Sequence, residues 1–267
     1  MRELSFAKGH GTRNDFVLFT DLDDEIQLSD AEVAFVCDRR AGVGADGTLR
    51  VVRGKHIPGW DGDPEILFMD YRNADGSLAE MCGNGLRVFL RYLAQEDLAA
   101  TAVGTRAGLR SGVFCADGLI EVDMGPVVLG RTLSQTCCGY TFTGRSVDVG
   151  NPHLVSFVDG AVLDSLDLSK QPTWDPPGAF PNGVNNEFVE VLGQGQLRMR
   201  VYERGSGETM SCGTGIVAAA AAAQAAYWPN DQVSVSVPGG TLQVRLGTTA
   251  MLTGPAEIVA RGKVWIP

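Results

Sequence analysis

Two short stretches of the chain share one pattern, and they decide how the rest of the sequence is interpreted. Residues 81–85 read Met-Cys-Gly-Asn-Gly, and residues 211–215, which lie 130 positions further on, read Ser-Cys-Gly-Thr-Gly. Each stretch follows a strand-like run, at 66–69 in the first case and at 197–202 in the second. The repeat predicts two related halves within one chain.

The segments that follow the two stretches support this duplication. Helical patterns over 86–97 and 216–227 come directly after the glycine motifs. Strand pairs over 113–123 and 233–246 then follow, each interrupted by a glycine-bearing turn. We therefore predict an α+β protein of two pseudo-symmetric domains, each a curved, mainly antiparallel sheet or barrel around one central helix.

A Gly-Pro pair closes each half and marks the predicted domain boundary. The pairs stand at positions 125–126 and 254–255, with nearly the same offset as the cysteine motifs. We expect an N-terminal domain of residues 1–125 together with about 256–267, and a C-terminal domain of residues 126–255. The last strand would then return to the first domain.

Composition and charge exclude several classes of function. The formal net charge is −10, so the chain has no general attraction to nucleic acid or to anionic lipid. Neither a secretory segment nor a membrane span is visible in the sequence, and a cytoplasmic location is predicted. The six cysteines would be reduced there, and none shows the paired spacing of a zinc site. We expect no metal, no nucleic acid partner and no membrane partner.

The cysteines of the two motifs carry the predicted chemistry. A thiol at the start of a helix meets unpaired backbone N–H groups and the positive end of the helix dipole, which lower its pKa. Two such thiols on opposite sides of one carbon could invert a stereocentre without a cofactor, one removing the proton and the other returning it. Two other interpretations stay open, namely small buried apolar residues and a thiol redox pair.

Six motifs resemble those of the diaminopimelate epimerase family, and together they extend over nearly the whole chain. They are 6–16 (FAKGHGTRNDF), 42–47 (GVGADG), 71–85 (YRNADGSLAEMCGNG), 150–153 (GNPH), 185–188 (NNEF) and 201–215 (VYERGSGETMSCGTG). The resemblance implies conversion of LL-2,6-diaminopimelate to the meso isomer, in lysine and peptidoglycan precursor biosynthesis of a bacterium. It also implies a homodimer that uses neither pyridoxal phosphate nor a metal.

The same resemblance assigns the site residues. Cys82 and Cys212 match the acid/base pair of the family. The positions that match its substrate-holding residues are Asn14, Asn73, Asn151, Asn185, Glu203 and Arg204, and those that match its carboxylate pockets are Gly83, Asn84, Gly213 and Thr214. Arg204 suits the distal carboxylate of the substrate, because a guanidinium binds a carboxylate through two hydrogen bonds. Glu203 and the asparagine oxygens can accept from its ammonium groups.

Two residues near the site have a second interpretation. His153 is either a turn histidine that hydrogen-bonds the backbone or a partner that tunes the proton of a cysteine, and Glu203 is a candidate for the same tuning role. Lys8 is interpreted as a structural residue.

The sequence departs from the family pattern at a few positions. Gly9, Thr12 and Arg13 replace residues that are commoner in the first motif, and Gly47 stands where some members carry a glutamine that contacts the substrate. These departures concern the placement of the distal end of the substrate.

Three alternative functions remain. The first is a related two-cysteine racemase acting on proline or hydroxyproline, which would not need Arg204, Asn73 and Asn185 for a second carboxylate. The second is a thiol redox protein that uses Cys82 and Cys212 as a switch, and the third is a non-catalytic binding protein of the same fold.

Overall fold

The structure is a computed structural model, and it describes residues 2–229 and 231–267. The chain forms two compact units, one of Met1–Val122 with Pro255–Pro267 and one of Asp123–Gly254. Each unit contains a mainly antiparallel sheet and one long buried helix. The predicted α+β class is confirmed.

The first unit carries the elements from the N-terminus to the middle of the seventh strand. They are β1 (Arg2–Gly11), β2 (Asn14–Thr20), α1 (Asp30–Cys37), β3 (Gly47–Arg53), a 3-10 turn (Gly54–His56), β4 (Leu67–Asn73), α2 (Gly83–Gln95), β5 (Ala102–Thr105), β6 (Gly108–Phe114) and β7 (Ile120–Gly125). Neighbouring strands pair in chain order, from β1–β2 to β6–β7. The β2–β3 and β4–β5 pairs are parallel, and the others are antiparallel.

The second unit continues from β8 to β17. Its elements are β8 (Val128–Cys137), β9 (Tyr140–Asp148), β10 (Pro152–Phe157), α3 (Gly160–Ser165), β11 (Thr173–Asp175), a 3-10 turn (Pro177–Ala179), β12 (Asn185–Gly193), β13 (Gln196–Glu203), β14 (Gly207–Thr209), α4 (Gly213–Ala226), β15 (Gln232–Val237), β16 (Gly240–Arg245) and β17 (Ala250–Gly254). The final strand, β18 (Glu257–Ile266), pairs antiparallel with β1.

The same succession of pairings occurs in both units. A parallel step joins β2 to β3 in the first unit and β10 to β12 in the second. A second parallel step joins β4 to β5 and β13 to β15, and the chain between these strands forms α2 and α4 respectively. A parallel pair requires a crossover connection, which a helix usually supplies. The predicted duplication is therefore present in the topology, and it places each cysteine motif between a strand and its crossover helix.

The two crossover helices are buried in their own units. All of α4 from Gly213 to Ala223 is buried except Thr214, as the absence of a polar face predicts. Most of α2 is buried as well, including Leu86, Phe89 and Leu93. Both helices begin three residues earlier than the helical patterns at 86 and 216 predict. The glycines of both motifs thus form the first helical turn, because the preceding cysteine takes the extended conformation of an N-cap.

Candidate active site

Cys82 is the residue that caps the N-terminus of α2. Its backbone is extended, with φ −140° and ψ 121°, and Gly83 begins the helix. The Gly85 amide donates to Cys82 Sγ, with an N–Sγ distance of 3.4 Å. This N–H group belongs to the first turn, where no helical carbonyl can accept it. The predicted position of Cys82 at a helix start is confirmed.

Asn14 and Asn84 lie beside this cysteine. The thiol donates to Asn14 Oδ1 over 3.5 Å, and Asn84 Nδ2 donates to the same oxygen over 3.3 Å. Asn14 Nδ2 in turn donates to Asp46 Oδ2 over 2.7 Å. The structure therefore joins Asn14, at the start of β2, to Cys82 and Asn84 at the start of α2.

The chain around Asn14 is anchored by Asp15. Asp15 forms ion pairs with Lys8, at 2.6 Å, and with Arg39, at 2.8 Å. Burial by itself would raise the pKa of Asp15, but the hydrogen bonds from Arg39 and Lys8 outweigh burial and hold the pKa at about 2. Lys8 thus has the structural role that the sequence predicts.

Arg87 is a buried cation in the helix behind Cys82, and sequence reasoning missed it. Its side chain is fully buried, and it donates to Asn84 Oδ1 over 2.9 Å and to Gly83 O over 3.3 Å. It also donates to Thr12 Oγ1 over 3.4 Å and to Pro255 O over 3.3 Å.

Arg87 has an unusual electrostatic setting. Among the described residues no carboxylate forms an ion pair with it. Burial lowers the pKa of Arg87 to about 10, and negative charge on Cys82 acts in the opposite direction. The spacing of four residues between Gly83 and Arg87 was the available signal, because it places both on one helix face.

Cys212 caps α4 in the same way, with φ −118° and ψ 111°, and Gly213 begins the helix. Thr214 Oγ1 lies 3.5 Å from its sulfur, and the Gly215 amide and the Glu203 carboxylate lie close to it. Burial and the charges of Glu203 and Glu187 raise the pKa of Cys212 well above its ordinary value. The predicted lowering is therefore wrong for this cysteine, since burial and two carboxylates outweigh the two hydrogen-bond donors.

His153 lies inside β10 and is completely buried. Its Nδ1 is 2.6 Å from Glu187 Oε1, and its Nε2 is 2.9 Å from Asn151 Oδ1. Asn151 Nδ2 then donates to Thr214 Oγ1 over 3.3 Å. The interpretation as a turn histidine bound to backbone is wrong, because the ring is held by side chains at both nitrogens.

Glu187 is the second functional candidate that sequence reasoning missed. It is completely buried in β12, and its Oε2 has no hydrogen-bond partner among the described residues. A Cβ at Gly215 would lie 2.6 Å from Glu187 Oε1, so the glycine makes room for this carboxylate at the start of α4. The available signal was an acidic residue two positions after Asn185, on the same face of a buried strand.

Glu203 and Arg204 occupy the end of β13 and the turn that follows. Glu203 accepts a hydrogen bond from Thr209. Burial raises the pKa of Glu203, and the charge of Glu187 adds to this effect, although hydrogen bonds from Thr209 and Cys212 oppose it. The Arg204 amide donates to Asn185 Oδ1 over 2.9 Å, which joins two predicted substrate-holding residues.

The Arg204 guanidinium is exposed and donates to Asn182 O over 3.2 Å. No carboxylate among the described residues pairs with it. An arginine in this setting can receive an anionic group.

Asn73 and Gly47 lie at the joined ends of β4 and β3. They are opposite each other in the antiparallel pair, and Asn73 Nδ2 donates to Ser77 Oγ over 3.0 Å. A Cβ at position 47 would lie 2.4 Å from Arg72 O, so glycine is required by the backbone here. The substrate-holding role of Asn73 stays a prediction.

Comparison with known proteins identifies the family. Residues 6–130 and 145–259 match the model of the diaminopimelate epimerase family. The chain is 51% identical to a diaminopimelate epimerase of Thermobifida fusca and 48% identical to one of Corynebacterium glutamicum. The first alignment covers 98% of both chains, and the second covers 98% of this chain and 99% of the relative.

Solved structures support the fold. A phenazine biosynthesis protein of the PhzF family from Bacillus anthracis is similar with a TM-score of 0.71 at 14% identity, over the whole of both chains. A hydroxyproline epimerase from Agrobacterium vitis is similar with a TM-score of 0.70 at 15% identity, over 98% of this chain and 92% of that one. At these identities the likeness concerns the fold alone. By the sequence matches, the chain belongs to the diaminopimelate epimerase family.

Proposed function

We propose that the chain converts LL-2,6-diaminopimelate to meso-diaminopimelate without a cofactor, with Cys82 and Cys212 on opposite sides of the reacting carbon. The observation that carries the proposal is structural and occurs twice. In each unit a cysteine caps a buried helix that opens with Gly-X-Gly, and a hydrogen-bonding group of the first turn contacts its sulfur, the Gly85 amide at Cys82 and the Thr214 hydroxyl at Cys212. In a member of this family, two such thiols are an acid/base pair.

The proton transfer uses one sulfur in each protonation state. A thiolate removes the proton from the α-carbon, and the opposite thiol donates its proton to the other face, which inverts the centre. The surroundings of Cys212 favour its protonated form, because burial and the neighbouring carboxylates raise the pKa of its thiol. Once that proton has left, the Gly215 amide and Thr214 stabilise the remaining thiolate.

The start of each helix would also stabilise the transition state. Negative charge spreads from the α-carbon into the adjacent carboxylate as the proton leaves. The first-turn N–H groups of Gly83 and Asn84, and those of Gly213 and Thr214, lie at the starts of the two helices, where such groups can bind a charge of this kind. One such donor contributes on the order of 3 kcal/mol to transition-state stabilisation in other enzymes. A set of them makes a weakly acidic α-proton accessible to a thiolate.

Arg204 would bind the distal carboxylate of the substrate. Its guanidinium is exposed, its backbone is tied to Asn185, and no described carboxylate neutralises it. Replacing it with lysine keeps the charge but removes the two-pronged geometry. We expect Arg204→Lys to raise KM for LL-diaminopimelate by roughly 10- to 100-fold, with kcat changed far less, because an interaction worth about 1.5–3 kcal/mol is lost. Arg131→Lys, at an exposed arginine of β8, is the control for a general charge effect.

The proposal extends to the setting of the reaction. We propose that the enzyme acts in the cytoplasm, as a homodimer, in the synthesis of lysine and of peptidoglycan precursors. The resemblance to the family supports these points. No helix among the described residues is long and apolar enough to cross a membrane.

The direct test is conversion of LL-diaminopimelate by the purified, reduced protein with no added cofactor. The account predicts formation of the meso isomer and no racemisation of L-proline or hydroxyproline. Conversion of proline with LL-diaminopimelate unchanged would favour the related racemase. A protein that converts neither substrate, but whose two cysteines titrate at a physiological potential, would favour the redox hypothesis.

A further inference from the structure

A chain of hydrogen bonds joins a buried carboxylate to Cys212. Glu187 Oε1 lies 2.6 Å from His153 Nδ1, and His153 Nε2 lies 2.9 Å from Asn151 Oδ1. Asn151 Nδ2 lies 3.3 Å from Thr214 Oγ1, which is 3.5 Å from Cys212 Sγ. All five residues belong to the second unit. This hydrogen-bond chain begins near the start of β12 and ends at the N-cap of α4.

The donor and acceptor groups along this hydrogen-bond chain determine which group donates at each step. An amide oxygen only accepts, so His153 Nε2 must carry a proton to bond Asn151 Oδ1. Asn151 Nδ2 then donates to the hydroxyl oxygen of Thr214. The hydroxyl hydrogen of Thr214 is therefore left to donate to Cys212 Sγ. With this direction the chain delivers a hydrogen-bond donor to the sulfur, which favours its thiolate form.

Glu187 explains why the proton stays on Nε2. Glu187 and His153 are both completely buried, and Glu187 Oε2 has no partner among the described residues. An isolated carboxylate in such a place is costly, whereas a carboxylate and an imidazole that share a proton are neutral together. The contact at 2.6 Å between Oε1 and Nδ1 holds that shared proton. Since Nδ1 is occupied in this way, the second ring proton resides on Nε2.

We propose that Glu187 is a positioning residue of this active site. Together with His153 it holds one proton, and this fixes the direction of the hydrogen bonds so that Thr214 donates to the sulfur of Cys212. The donor stabilises the thiolate that forms when Cys212 gives its proton to the substrate, and that thiolate is the base for the reverse reaction. The catalytic part of this statement rests on the proposed function. The direction of the chain can be measured without substrate.

The other groups around Cys212 make this donor important. Glu203 from β13 opposes negative charge on the sulfur, and Glu187 from β12 does so only as far as its charge is not balanced by the proton it shares with His153 from β10. The Gly215 amide near the sulfur belongs to the backbone of α4, so replacing a side chain on β12 does not redirect it. The Thr214 hydroxyl can rotate, so its contribution depends on the chain that ends on it.

The experiment compares Glu187→Leu, Glu187→Gln and a control, Glu190→Leu. Glu190 is on the same strand, and its carboxylate pairs with Arg198. The first readout is the rate at which iodoacetamide modifies Cys212 at pH 8, followed by mass spectrometry of its peptide, with Cys82 as an internal reference. The second readout is the ¹⁵N NMR signal of the His153 ring, which can be assigned because the chain has three histidines.

The proposal predicts that Cys212 is modified about 10-fold more slowly in Glu187→Leu, because losing the donor raises the pKa of its thiol by about one unit. Cys82 is unaffected, kcat falls by roughly 100-fold and KM changes less than 3-fold. Glu187→Gln stays within about 3-fold of the native protein, because its amide can donate to Nδ1 and keep the proton on Nε2. Glu190→Leu leaves the Cys212 rate unchanged.

Two results would overturn the proposal. Faster modification of Cys212 in Glu187→Leu would mean that Glu187 acts on the sulfur as a bare negative charge. An unchanged rate would mean that it only fills space. If Glu187→Leu does not fold, the His153 ring signals of the native protein and of Glu187→Gln still test the proposal. An unprotonated Nε2 in either protein contradicts the proposed direction of the hydrogen bonds. If the protein does not convert LL-diaminopimelate, the proposed function fails while the modification rates and the NMR signal remain informative.

Discussion

The two cysteine motifs have the same backbone and opposite electrostatic surroundings. Cys82 and Cys212 both cap a buried crossover helix, and in both cases a hydrogen-bonding group of the first helical turn contacts the sulfur. Near Cys82 lies the buried guanidinium of Arg87, with amide side chains between them. Near Cys212 lie two carboxylates and an imidazole.

The difference teaches how a duplicated fold can supply an acid and a base. The strand, cap and helix come from the repeat and place both sulfurs at the start of a buried helix. The side chains around the two sulfurs then differ, because α2 supplies Arg87 near Cys82 and two strands supply the carboxylates near Cys212. A pair of groups whose surroundings push their proton affinities apart is what an acid/base pair requires.

The largest effect is expected from removing either sulfur. Cys82→Ser and Cys212→Ser should each lower kcat by roughly 10³- to 10⁴-fold, because a hydroxyl is a far weaker acid and a general acid or base contributes about this much. Both variants are needed, since a two-base reaction depends on both sulfurs in spite of their different surroundings. Steady-state conversion of LL-diaminopimelate measures the effect.

The control for this comparison is Cys115→Ser, at a cysteine outside both motifs. It should leave kcat unchanged. Full activity in either Cys82→Ser or Cys212→Ser would break the comparison, because only one cysteine would then be catalytic.

The next effect concerns the buried cation of the first unit. Arg87→Met keeps most of the side-chain volume but removes the donors to Asn84, Gly83, Thr12 and Pro255. Leaving buried acceptors unpaired should lower the free energy of unfolding by about 2–3 kcal/mol, measured by urea denaturation. Modification of Cys82 at neutral pH should also slow, because the thiolate loses a nearby positive charge.

Arg91→Met provides the matched control one turn further along α2. Arg91 also donates to a backbone carbonyl, that of Ala256, but its side chain is only partly buried. Its replacement should leave the modification rate of Cys82 unchanged. An equal slowing in both variants would show that the charge of Arg87 has no specific effect on the sulfur.

The pH dependence of Cys212 modification tests the electrostatic surroundings of the second cysteine. Because its pKa is raised in the folded protein, the thiol persists at pH 9, where an ordinary cysteine is about half ionised. The rate of iodoacetamide modification should therefore still be rising above pH 9. The raised pKa also contributes to the free energy of unfolding. This contribution is complete below the ordinary cysteine pKa and is lost as the pH rises above it. A rate for Cys212 that levels off below pH 9 would contradict this environment.

The smallest effect is expected at Asp15, which anchors the segment carrying Asn14. Its pKa of about 2 lies below the ordinary value of 3.8, so its stabilising effect is complete above pH 4 and is lost as the pH falls toward 2. Asp15→Asn should lower the free energy of unfolding by about 1–2 kcal/mol at pH 7, a value reduced for its partial exposure. The difference should shrink at pH 3. Equal differences at both pH values would mean that the ion pairs with Lys8 and Arg39 contribute little.

The sequence predicts the fold well because each local pattern is weak alone but occurs twice, at the same spacing. Strand, glycine motif, helix and hairpin recur at one spacing, and the structure has these elements in the same order in both units. The helix starts differ by three residues because glycine disfavours a helix in general, whereas here the cysteine caps it and the Gly85 amide binds the sulfur.

The charged parts of the site could not be predicted in the same way. Arg87 and Glu187 look like solvent-facing residues in a linear sequence, and only the packed structure shows that both are buried. The raised pKa of Cys212 arises from Glu203 and Glu187, which precede it by 9 and 25 residues and come from two different strands. Local reasoning about the helix start therefore gave the wrong sign for this thiol.

The most direct test of the two-base account is the order in which deuterium enters substrate and product. LL-diaminopimelate is incubated with the reduced protein in D₂O, and α-deuterium in the recovered LL isomer and in the meso product is followed by NMR at low conversion. The account predicts deuterium at the inverted centre of the product and almost none in the remaining substrate, because the proton is removed by one sulfur and returned by the other. Deuterium that appears in the LL isomer as fast as in the meso product would show that a single group removes and returns the proton, and would contradict the account.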